Sequence, residues 1–75
     1  MTLADTNVGE ISRILSIQDD THLKRRLYDL GFFPGNLVEC VLISPFQSPI
    51  LYKVNGALIA LRFLDAQKIE VTYEA

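Results

Sequence analysis

Cysteine and histidine each occur once in this chain of 75 residues, and that scarcity removes most catalytic and metal chemistry at the outset. A single cysteine permits no internal disulfide, which argues against a stapled secreted scaffold. One histidine, His22, and one cysteine, Cys40, sit on different predicted elements and fall short of a structural zinc set. No histidine–carboxylate pair at motif spacing accompanies Cys40 or any serine, so no activated nucleophile can be assembled. The four glycines are scattered at turns, which excludes a phosphate-cradling loop. No apolar run approaches the ~20 residues of a membrane span. The start, Met1-Thr2-Leu3-Ala4-Asp5, has no basic region followed by an apolar stretch and is no signal peptide. Positive charge is not in excess either: the net charge is −2, whereas nucleic acid calls for a basic face. A cytoplasmic protein without catalytic residues, nucleic-acid partner or membrane insertion is expected.

What is abundant is apolar surface. Hydrophobic residues make up 49% of the chain, a large share for a body with so little interior, and point to a partner surface or weak self-association. One domain spanning 1–75 is expected, with a core that typically supplies only ~3–5 kcal/mol.

Leu3 and Val8 are the expected anchors of the lead-in. Glu10 to Ile17 is β-branched with broken alternation, so a first strand with a bulge is predicted. Asp19-Asp20-Thr21 offers short oxygens and negative charge to a helix start. Leu23, Leu27 and Leu30 then form an apolar stripe, while Lys24, Arg25 and Arg26 lie off it. Gly31 sits where a helix C-terminus wants a left-handed residue, and Pro34 forbids resumption. Leu37 to Ile43 is a second strand in which Val38, Cys40 and Leu42 should face inward and Cys40 serves as a small buried hydrophobe. A loop bracketed by Pro45 and Pro49 carries Phe46. Asn55-Gly56 between Ile50–Val54 and Ala57–Arg62 predicts a two-residue hairpin of type I′. Phe63 to Lys68 reads as one helical turn, and Ile69 to Glu74 as a final alternating strand. The fold class is mainly β with one helix: five short strands curled into a small barrel that removes most free edges, the α-helix between strands 1 and 2, and a short helical turn before the last strand.

By elimination this is a binding module. Gly9-Glu10 with Ile14, the run Leu27-Tyr28-Asp29-Leu30-Gly31-Phe32-Phe33-Pro34-Gly35, and Val38-Glu39-Cys40-Val41 resemble successive marks of the FeoA family. Pro49-Ile50, Asn55-Gly56, Ile59-Ala60-Leu61-Arg62, Ala66 and Ile69-Glu70-Val71 continue the series. Thr6 departs from it where a second apolar residue is expected, loosening the N-terminal anchor, and Cys40 stands where valine is common. The resemblance implies an SH3-like accessory protein of bacterial ferrous iron uptake that contacts the permease FeoB, presenting its cytosolic GTP-binding region or membrane part. It implies no catalysis, cofactor or metal site, and ferrous iron association finds no ligand set. The contact residues expected on this basis are Arg25, Arg26, Tyr28, Phe32 and Phe33, aromatics beside guanidinium groups as at interface hot spots. Either phenylalanine should then tolerate serine without loss of fold. The alternatives are a detached relative of the C-terminal SH3-like domain of iron-dependent repressors and a homo-oligomeric module joined through Leu51, Leu58 or Tyr73. A chain beginning at Met1 without a helix-turn-helix is not expected to be a free-standing repressor.

Overall fold

The computed structural model describes residues 1–18 and 21–74. A 3₁₀ turn, Leu3–Asp5, leads into β1 (Ile11–Ile17), α1 (Thr21–Leu30), β2 (Leu37–Ile43), β3 (Ile50–Val54), β4 (Ala57–Leu61), α2 (Phe63–Ala66) and β5 (Ile69–Tyr73). The expected caps Asp19 and Asp20 lie outside the described residues. All strand pairs are antiparallel, in the order β4-β3-β2-β1-β5. The last strand therefore lies beside the first, with Ser12 opposite Tyr73 and Ile17 opposite Ile69.

Two irregularities shape the sheet. Between Ile14 and Ser16 the register of β1 against β5 shifts, so Ile14 and Ile17, three apart, both turn inward. This is the bulge that the broken alternation predicts. A second shift falls between Cys40 and Leu42. It corrects the expectation for β2: Val38 and Cys40 are buried, but Leu42 is 57% exposed, because one extra residue reverses the period-2 alternation. Val8, expected as an anchor, is also exposed.

The core draws on every strand and both helices: Ile14, Ile17, Leu27, Phe32, Val38, Cys40, Tyr52, Val54, Leu61, Ala66, Ile69 and Val71 among others. Leu3 joins it from the N-terminal segment, and its carbonyl accepts from the Thr6 hydroxyl at 2.8 Å and the Tyr52 hydroxyl at 3.3 Å. Thr6 is itself buried, so the residue expected to loosen this anchor instead bonds it in place.

The helix ends in a Schellman arrangement: the Gly31 N–H donates to the Tyr28 carbonyl (3.0 Å) and the Phe32 N–H to the Leu27 carbonyl (2.8 Å). Gly31 has φ +112°, and a Cβ there would stand 3.0 Å from Asn55 Nδ2 and 3.2 Å from Val54 Cγ2. The helix exit is thus seated against the β3–β4 hairpin. That hairpin turns at Asn55 (φ 52°) and Gly56 (φ 78°), as a type I′ turn requires. Asn36 Nδ2 joins the two by donating to the Gly31 carbonyl (2.7 Å) and to Asn55 Oδ1 (3.1 Å). On the other side, Arg13 Nη1 donates to the Gly35 carbonyl at 2.7 Å and Nη2 to Glu74 Oε1 at 2.8 Å.

Two outcomes follow from these contacts. Gly31→Ala combines a backbone angle foreign to L-residues with a tight contact at the hairpin, and should lower unfolding free energy in a urea titration by about 1–3 kcal/mol. The hydrogen bond from Arg13 holds the Glu74 carboxyl below its ordinary value of 4.5. A lowered folded-state value gives stability that is full above the unfolded value and is lost as pH falls through the folded one. The difference in Tm between the wild type and Glu74→Gln should therefore be largest near neutrality and shrink progressively as the pH falls below the carboxyl's ordinary value.

Candidate functional site

The exposed side of α1 follows from its sequence. Leu27 anchors the helix in the core, Leu23 and Tyr28 pack partly against that core, and Arg25 and Arg26 are exposed. Lys24 Nζ lies 5.9 Å from the centre of the Tyr28 ring, a cation–π distance available because residues four apart share a helix face. Lys24, Arg25, Tyr28 and Asp29 line a shallow groove of about 480 Å³. It offers an aromatic floor, two cations and one carboxylate, a surface that suits an acidic or amide-rich polypeptide better than a small molecule.

Not all the residues expected to make contact reach this face. Arg25 and Tyr28 share the groove. Arg26 leans the other way, its guanidinium 3.6 Å from Asp65 of α2, an exposed pair of the kind worth at most about 1 kcal/mol. Phe33 is 40% exposed at the helix exit. Phe32 is the correction: it has no exposed surface, and its ring meets Tyr52 edge-on, centroids 6.4 Å apart at 85°. Its position explains why. Phe32 is the second residue past the helix, where a Schellman end places an apolar side chain against the last inward turn, here that of Leu27. A partner can touch Phe33 but not Phe32.

Lys24 and Asp29 were missed as groove residues. Their signal was present in the spacing, since 24/28 and 25/29 are both four-residue pairs on one helix face.

The remaining reactive groups offer no competing centre. Cys40 is buried, and burial pushes its thiol up, against the opposing hydrogen bond with Thr6. Burial likewise raises the Tyr52 phenol well above its ordinary value. His22 is exposed in the first turn of α1. Among the described residues no three of histidine, cysteine, aspartate and glutamate gather where a metal ion could be held. Nor is any described helix long and apolar enough to cross a membrane.

The FeoA domain family model matches residues 1–73. The chain belongs to the FeoA family. A curated relative, a fusion of Fe(2+) transport protein A with the Fe(2+) transporter FeoB from Porphyromonas gingivalis, is 28% identical over 71 residues. Those residues are 95% of this chain but 8% of the fusion protein. The solution structure of FeoA from Chlorobium tepidum is 29% identical with a TM-score of 0.94, covering 100% of this chain and 71% of that one. The crystal structure of Stenotrophomonas maltophilia FeoA, described as a procaryotic SH3 domain protein complexed with zinc, is 32% identical with a TM-score of 0.85. It covers 96% of this chain and 89% of its own. A manganese-dependent transcriptional repressor matches at 21% identity over 36% of its length, with a TM-score of 0.89, a likeness of fold. The chain is thus SH3-like, with five antiparallel strands and two α-helices among the described residues, and its family is linked to ferrous iron transport.

The two neighbouring phenylalanines should separate in a stability measurement. Phe32→Ser removes a fully buried ring and should cost about 3–5 kcal/mol, close to the whole margin of so small a chain, and abolish the cooperative melt. Phe33→Ser should leave the circular dichroism spectrum native and cost no more than ~1 kcal/mol.

Proposed function

We propose that this protein is a cytoplasmic, non-catalytic accessory factor of ferrous iron uptake, one FeoA-like domain over residues 1–75 that acts by binding an FeoB-type permease. The observation that carries this reading is the relative in which an FeoA segment and the FeoB transporter are one polypeptide. Covalent fusion of two segments keeps them at high effective concentration, an arrangement useful where the separate proteins would meet and bind.

The contact face in this reading is the exposed side of α1 and its exit: Arg25 and Tyr28 at the groove, Arg26 beside it, and Phe33 at the end. Phe32 supports the face from within the core. The chemistry favours a partner surface with carboxylates for the guanidinium groups and a shallow apolar seat for Phe33. Charge at the rim would govern the rate and salt dependence of encounter, and the aromatics its persistence. Arg26 would exchange Asp65 for a partner carboxylate at little cost, because an exposed pair holds it weakly.

A titration of isotopically labelled protein with the soluble GTP-binding region of the cognate permease, followed by NMR, tests both partner and face. Shifts are expected at residues 24–29 and Phe33, and Arg25→Glu should weaken binding ~tenfold or more while the free protein's spectrum stays native. Shifts confined to other surfaces would overturn the face. No shifts at millimolar partner, together with none against the detergent-solubilised permease, would overturn the function.

A further inference from the structure

The two edges of the sheet are treated differently. On the β5 side the N-terminal segment covers the edge: Thr2 bridges to Glu70, the Val71 N–H donates to the Met1 carbonyl at 2.9 Å, and the terminal amine meets Glu70 at 3.0 Å. The β4 side has no such cover among the described residues, since β4 pairs with β3 alone. An uncovered edge is ordinarily blunted by a lysine, a proline, a bulge or extreme shortness. β4 reads Ala57-Leu58-Ile59-Ala60-Leu61, without charge or proline, and its five pairs with β3 run without a register shift. Four of its five residues are exposed or half-exposed, Leu58 at 61%.

The direction of its backbone groups follows from the hairpin. Val54 and Ala57 flank a two-residue turn and form a hydrogen-bonded pair, so Ala57, Ile59 and Leu61 direct their N–H and C=O groups at β3. Leu58 and Ala60 direct theirs outward. The sequence around Ile59 is also compatible with its own reverse. An antiparallel copy centred on Ile59 sets Leu58 opposite Ala60, large against small, and Ala57 opposite Leu61. Leu58 and Ala60 are the residues with outward-facing groups, so the Leu58–Ala60 pair and its symmetry mate close their hydrogen bonds. Arg62, the nearest charge along the chain, falls opposite Gly56 of the second copy, so no like charges meet.

We propose that β4 is a self-association edge, at which a second copy of this chain pairs antiparallel about Ile59 to make one continuous ten-stranded sheet. The outer face supports this occupant. Leu42 lies opposite Leu51 and Leu51 opposite Ala60, so an apolar row crosses the sheet and stops at the open edge. In the pair the row continues into Leu58 of the second copy and ends at its Lys53 and Glu39, which face one another across β2 and β3. A seam of one short strand per copy is small beside the about 1,200 Å² of the smallest standard interfaces, so the dimer is weak and concentration-dependent.

Sedimentation velocity on the full chain from about 20 µM to about 2 mM, a range suited to small interfaces, tests this. The wild type should shift from monomer to dimer. Ala60→Pro removes an outward N–H that β3 does not use, so circular dichroism and Tm should stay near native while association weakens ~tenfold or more. Leu58→Glu, whose carboxylate faces Lys53 within the chain, is the second variant and should act likewise. It decides the matter if the proline variant does not fold. A wild type that remains monomeric at the highest concentration overturns the proposal, including the case in which the edge captures a strand from another protein instead. So does a folded variant that dimerises as well as the wild type.

Discussion

The seating of the helix exit on the β3–β4 hairpin is the constraint on which the remaining structure depends. Gly31 lies so close to Val54 and Asn55 that even a Cβ would press on both, and Asn36 ties the Gly31 carbonyl to the Asn55 side chain. The same turn carries Phe32 inward to Tyr52 and sends the chain off into β2. A positive-φ glycine, an amide side chain with two acceptors and a buried ring together fix where α1 sits relative to the sheet. The orientation of the exposed helix face is then settled as well, since Leu27 and Phe32 hold its opposite side.

Much of this was legible in the sequence. Asn55-Gly56 gave the hairpin its turn and register, Gly31 and Pro34 the end of the helix, and the broken alternation of Ile14 and Ile17 the first bulge. The second bulge left no comparable mark. Val38-Glu39-Cys40-Val41-Leu42-Ile43 carries one polar residue, so either parity looks acceptable until the partner strand imposes its register, and Leu42 came out on the wrong face. Thr6 misled for a different reason. A hydroxyl among apolar neighbours reads as a weakness until the Leu3 carbonyl that receives it is in place.

The candidate site divides along the same line. Arg25 and Tyr28 could be placed from helical periodicity alone, which is local. Phe32 and Phe33 could not be separated by composition, because adjacent aromatics just past a glycine look alike. The distinction lay in the geometry of the helix end, where the second residue after the stop faces back to the core and the third faces away. Arg26 required tertiary information, since its partner Asp65 lies on an element far along the chain.

The place of β5 beside β1 has a consequence for how the molecule is made. During synthesis the first strand emerges long before the strand that shields it, and the Arg13–Glu74 contact spans 61 residues. Ile69 and Val71, both core residues, leave the ribosome only after the other four strands. A nascent chain holding β1 to β4 has neither these side chains nor a partner for one side of β1, so consolidation must wait until β5 is released. Consolidation of the sheet therefore follows the synthesis of β5, with the helix and the hairpin, whose contacts are local, forming ahead of the sheet that unites them.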